Sequence, residues 1–242
     1  MNGYEHEVYQ ELLDWELSLL KKQSMFQKIS KRTQNRINQY IPERAHQIIT
    51  ESIKQMVKTT LFGSDVTTNK TQYVEKTLEE KEQLVQEKLE GYRKTAMLEG
   101  AGTGAGGFLL GLADFPLLLS IKIKFLFEVA TIYGWDVSKY EERLFILHVF
   151  QLAFSNEDKR REVYYLIKHW DEEKGRLTDM DWREFQQEYR DYIDLVKMFQ
   201  LIPGFGAVVG AYANYNLLEQ LGTTAKNSYR IRWFAQEDRQ IK

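Results

Sequence analysis

GAGTGAGGFLLGLADFP (residues 100–116) places six glycines within twelve positions, then an apolar run, then a carboxylate two residues ahead of a proline. What leads into it decides the fold class. Gly102, Gly104 and Gly107 satisfy the spacing G-x-G-x-x-G, and Glu128 follows about twenty residues on, where dinucleotide-binding folds carry their ribose-binding acid. That fingerprint works only when the end of a strand and the start of a helix together aim backbone amides at a pyrophosphate. The preceding stretch, EKLEGYRKTAMLE (87–99), has helical rather than strand character, and the chain contains no Gly-Lys dipeptide for a phosphate loop. A nucleotide is therefore not expected, and the run belongs to an all-α protein.

Working outward, the chain has only three prolines, Pro42, Pro116 and Pro203, and between them apolar residues recur at helical spacing. Leu12, Trp15, Leu19 and Leu20 share one face near the start, and Phe26, Ile29, Ile37 and Tyr40 continue the period. Pro42 suits the first turn of a helix over PERAHQIITESIKQMVKTTLF, because its missing N–H costs nothing there. From Tyr73 to Ala96, Val74, Leu78, Val85, Leu89 and Tyr92 step by three, four or seven among Glu and Lys, which predicts a long exposed helix. PLLLSIKIKFLFEVATIYGW follows as a helix ended by Gly134, then SKYEERLFILHVFQLAFS and NEDKRREVYYLIKHW. DEEKGRLTDMDWREF fails as a calcium loop: with Gly175 at the sixth position, Trp170 and Lys174 occupy ligand positions that require oxygen. Thr178 with Asp181 three residues later predicts a capped helix start instead.

The 242 residues carry a net charge of −2 and no cysteine, which excludes disulfides and thiolate chemistry and gives no global field for nucleic acid. The amino terminus lacks the basic start and apolar core of a secretory signal, so a cytoplasmic protein is expected. MFQLIPGFGAVVGAYANYNLL (198–218) is uncharged and long enough to span a bilayer. Its Gln200, Asn214 and Asn216, and the charges Asp114, Lys122, Lys124 and Glu128 around the first glycine run, argue against spanning. Glycine inside a helix costs about 0.5–1 kcal/mol relative to alanine, so these positions must be offset by close contact or lie partly in a loop. Gly107 and Gly111, like Gly206 and Gly210, stand four apart and make a flat groove for a second helix. Shifted by one hundred positions, Gly104, Gly106, Ala113 and Leu117 fall on Gly204, Gly206, Ala213 and Leu217, a possible internal repeat of two central helical hairpins.

The first glycine run, the later IPGFGAVVGAYANYN, the terminal TTAKNSYRIRWF and the early Trp15 together resemble the EcsC family over nearly the whole chain. The resemblance implies a single helical domain over residues 1–242 in a bacterial protein associated with an ABC transporter. It supplies no reaction, catalytic residue or cofactor to carry over.

Two kinds of site remain. Asp114 either caps the helix at Pro116 or is a buried acid meeting Asn214, with Glu128 as a further polar core group. This pocket is the basis of an alternative reading as a small-ligand-binding protein or hydrolase-like enzyme. His148, with Glu141 seven residues earlier, reads as a hydrogen-bonded core residue; no metal is expected, since His6, His46 and His169 lack ligand spacing. The second site is basic. Lys21, Lys22, Lys28, Lys31, Arg32 and Arg36 occur without an acid among them, and Lys226, Arg230 and Arg232 stand beside Tyr229, Trp233 and Phe234. These two clusters predict a surface facing anionic headgroups or a membrane protein partner on the inner face of the cell membrane.

Overall fold

A computed structural model of the chain describes residues 1–21, 43–63, 73–104, 114–155, 157–179 and 207–240. Eight helices occupy them: α1 (Gly3–Leu20), α2 (Glu43–Phe62), α3 (Leu78–Gly104), α4 (Phe115–Ile132), α5 (Tyr140–Phe154), α6 (Glu157–Lys168), α7 (Trp170–Asp179) and α8 (Ala207–Gln240). The all-α expectation holds, and one apolar cluster draws residues from every helix.

Helix ends follow local chemistry. Asn2 and Glu5 form a reciprocal capping box at α1. Thr77 and Glu80 do the same at α3, with the Thr77 N–H donating to Glu80 Oε2 at 2.8 Å. The end of α4 turns at Gly134, whose φ of 95° is one that side chains disfavour. There the Gly134 N–H donates to the Thr131 carbonyl and the Trp135 N–H to the Ala130 carbonyl, a Schellman ending that fixes Trp135.

At the centre stands α5. LFILHVFQLAF (144–154) is apolar almost all round, and every one of those residues is buried against α2, α4, α6, α7 and α8. The long α8 runs antiparallel to α3: Arg230 meets Glu82, Gly222 meets Leu89, and Tyr215 meets Arg93. A Cβ added at Gly222 would stand 2.8 Å from a Leu89 methyl, so the Leu89 side chain packs directly onto the bare backbone of this glycine.

Several expectations need correction. At the centre of the described core stands α5; Gly106, Gly107, Gly111, Gly204 and Gly206 lie outside the described residues, as does most of the expected repeat of central hairpins. Gly104 ends α3 and Gly210 lies on α8. The α3 helix is half-buried: Lys81, Glu82 and Arg93 face inward. Thr178 lies inside α7, its hydroxyl donating to the Lys174 carbonyl at 2.7 Å, so it starts no helix there. Among the described residues, no helix is long and apolar enough to cross a membrane.

Candidate functional site

The polar heart of the molecule lies along the last third of α8, where one helix face presents Asn227, Arg230 and the next turn's partners to acids from three other helices. The Arg230 guanidinium donates through Nε and Nη2 to the two Glu82 oxygens, both at 2.6 Å, with the side chains 3% and 4% exposed. Its remaining Nη1 donates to Glu11 and to Asn227 Oδ1. Glu82 also accepts the hydroxyls of Tyr4 and Tyr133, at 3.0 and 3.2 Å. The pair is therefore a closed fork, with every charged oxygen satisfied, as a desolvated ion pair demands. Burial, reinforced by the Glu82 charge, raises both tyrosines well above their ordinary range, so they remain donors at any working pH.

Tyr133 stacks on Tyr229 with ring centroids 5.3 Å apart, and the Tyr229 hydroxyl donates to Glu142 at 2.8 Å. Glu142 begins α5, and burial raises its carboxyl despite the opposing Arg232 charge. Arg232 meets both Glu142 oxygens through a single nitrogen, Nη1, at 2.7 and 3.0 Å. Its guanidinium centre lies 3.2 Å from the Trp135 ring centroid and 4.2 Å from that of Phe145, so it is clamped between two aromatic faces.

Beside these pairs, Lys81 donates to the carbonyls of Tyr73 and Ile132, at 2.6 and 3.0 Å, and stands 5.8 Å from the Trp233 ring. Burial lowers its pKa. The ammonium thereby satisfies a carbonyl at the end of α4, where the helix dipole favours a cation.

The sequence-derived site residues are distributed differently from expectation. Arg230, Arg232 and Trp233 were expected on a basic surface, yet Arg230 is 2% exposed and Arg232 is turned inward, giving one nitrogen to Glu142 and lying against aromatic rings. The acids that neutralise them come from far positions in the chain, Glu82 and Glu142, which no local pattern around 226–234 could announce. Lys226 is partly buried and lowered by that burial. Lys21 is exposed at the end of α1, while Lys22, Lys28, Lys31, Arg32 and Arg36 lie outside the described residues.

Asp114 is neither the expected side-chain cap nor a fully buried acid. Its backbone is already helical, at φ −85° and ψ −6°, rather than extended as a capping side chain requires, and its carboxylate makes no capping bond. Its carbonyl accepts the Leu118 N–H at 3.1 Å. Asn214 lies on α8, but its side chain is outside the described set. Glu128 is engaged by its neighbours, accepting the Tyr92 hydroxyl at 2.7 Å and pairing with Lys88 at 2.9 Å. His148 is a core residue, its Nδ1 2.7 Å from the Leu144 carbonyl, whereas Glu141 is exposed. Among the described residues no group of three or more potential ligands could hold a metal.

Glu82, Glu142, Tyr133 and Trp135 escaped the sequence reading. One signal was available: the apolar stripe of α3 jumps from Leu78 to Val85, and the inward positions between them are filled by Lys81 and Glu82. A stripe that continues on both sides of a charged pair marks that pair as buried.

The EcsC protein family model matches residues 6–234. Protein EcsC of Bacillus subtilis is 52% identical over 225 residues, covering 93% of this chain and 94% of that protein. An uncharacterized protein of the same organism, YdbA, is 34% identical over 141 residues, 57% of this chain and 52% of its own. No solved structure matches.

Proposed function

This chain belongs to the EcsC protein family, and from that membership we propose that it is an accessory of a bacterial ABC transporter system, held at the cytoplasmic membrane surface by its basic stretch 21–36. The observation that carries the reading is the contrast between the two basic clusters. The C-terminal cations Arg230 and Arg232 are spent on internal pairs. The run KKQSMFQKISKRTQNR has six cations and no acid of its own. The described residue just ahead of it, Leu20, is held to the helical body: its carbonyl accepts a bond from Arg161 on α6 at 2.8 Å. A cation near an anionic membrane contributes about 1 kcal/mol, so a handful suffices for reversible attachment.

Flotation with vesicles tests this directly. The protein should float with phosphatidylglycerol-containing vesicles at low salt, remain behind with phosphatidylcholine alone, and detach near 1 M salt, where the Debye length falls to about 3 Å. Lys28, Lys31, Arg32 and Arg36 changed together to Gln should abolish flotation without altering helicity. A wild-type chain that ignores anionic vesicles overturns the membrane part. Failure to crosslink in cells to a transporter ATPase or permease overturns the accessory role.

A further inference from the structure

Where Trp135, at the end of α4, faces the junction of α6 and α7 across α8, the structure holds a cleft of about 80 Å³. Ile167 and Ile231 give it apolar walls, Trp170 stands at the start of α7, and Glu172 lies at the exposed rim. Arg232 also lines it.

The state of Arg232 sets what the cleft can hold. A guanidinium normally meets a carboxylate with two nitrogens in parallel, as Arg230 meets Glu82. Arg232 gives Glu142 only Nη1, and this leaves the Nε and Nη2 edge, the one best shaped for a second planar acceptor. The side chain is 10% exposed and clamped between Trp135 and Phe145, so little rotamer entropy remains to be lost on binding.

A simple anion does not fit the surroundings. Glu142 already offsets the Arg232 charge, Glu172 brings a further negative charge to the same cleft, Asp171 is paired with Lys174 at 2.9 Å, and the Lys168 ammonium is committed to Glu16 and Tyr164. A simple cation would face the guanidinium. A ligand bearing both charges meets each wall with its complement. We propose that this cleft binds a small aliphatic amino-acid zwitterion, its carboxylate accepting from Nε and Nη2 of Arg232 and its ammonium donating to Glu172, with Ile167 and Ile231 against its methylenes.

Glycine, β-alanine and γ-aminobutyrate, which separate the two charges one methylene at a time, are the probes, titrated into the full chain. Binding is followed by NMR at the indole N–H signals of Trp135 and Trp170. At least one of the three should shift both signals saturably. Acetate and methylammonium, each carrying one charge, should bind at least about tenfold more weakly. Glu172→Gln, a change at an exposed rim position that leaves the fold intact, should weaken the best probe about tenfold while leaving acetate unaffected. Ala235→Leu, which fills the mouth from α8, should abolish all binding. The proposal is overturned if none of the three amino acids moves the indole signals, if acetate equals the best of them, or if Glu172→Gln leaves its affinity unchanged.

Discussion

Arg230 and Arg232 stand two residues apart on the same helix, are both desolvated, and both face a buried glutamate, yet they are built differently. Arg230 is closed: four acceptors from Glu82, Glu11 and Asn227 take its donors in a seam between α3, α1 and α8. Arg232 is open: one nitrogen serves Glu142 and the side chain lines a cleft. The difference teaches that a buried cation with all its donors paired belongs to the scaffold, whereas one held rigidly by aromatic faces and only half paired is poised to receive something else.

The largest effect should come from breaking the closed pair. Arg230→Met leaves Glu82 buried without its cation and should cost about 3–5 kcal/mol in denaturant unfolding, while Glu82→Leu combined with Arg230→Met should recover most of that loss. Arg232→Met should cost about 1–3 kcal/mol, because Glu142 keeps the Tyr229 hydroxyl and water can enter the cleft. Equal costs for the two arginines would erase the distinction between closed and open.

Acid sharpens it through a buried ring on α5. His148 packs against Trp170, with ring centroids 5.7 Å apart, beneath the wall of the open cleft. Burial pushes its pKa down to about 4, against the Leu144 carbonyl, which favours the charged ring, and with Arg176 opposing that charge from α7. Above about pH 6.5 both folded and unfolded chains carry a neutral imidazole. As pH falls from 6.5 to about 4 the unfolded chain takes up a proton that the folded chain refuses, so about 3 kcal/mol of stability is lost. His148→Leu should remove that part of the acid sensitivity. A stability difference between the two proteins that is the same at pH 7 and pH 4 would refute the neutral buried ring.

Next comes the seam that carries the closed pair. Gly222→Val would drive a branched side chain into Leu89, where even a single Cβ lies 2.8 Å from a methyl, and should cost about 1–3 kcal/mol by thermal unfolding. No loss there would mean that α3 and α8 can separate freely without disturbing Arg230. The smallest effect belongs to Asp114, remote from both pairs and without a side-chain cap: Asp114→Ala should change stability by less than about 0.5 kcal/mol. A loss above 1 kcal/mol would restore its capping role.

The helices were legible in the sequence because their signals are local. An apolar run such as LFILHVFQLAF can only be a buried helix once its length and flanks exclude a strand. Gly134 ends α4 because left-handed backbone suits it, and the fingerprint at Gly102, Gly104 and Gly107 could be set aside because a helix precedes it. Glu82 and Arg230 are separated by 148 positions, and Glu142 and Arg232 by 90. No periodicity connects them. A lysine or arginine beside aromatic residues has the same composition whether it faces lipid headgroups or a buried carboxylate, and Coulomb attraction in a desolvated site depends on separations of a few ångströms that only chain packing creates. The sequence by itself determined that this chain is helical and that LFILHVFQLAF is apolar enough to be buried; that its helix stands at the centre of the described core came from the packing of the others around it. The antiparallel packing of α8 on α3, and its contact with α5, decided that Arg230 is fully paired by Glu82, Glu11 and Asn227 while Arg232 gives Glu142 a single nitrogen.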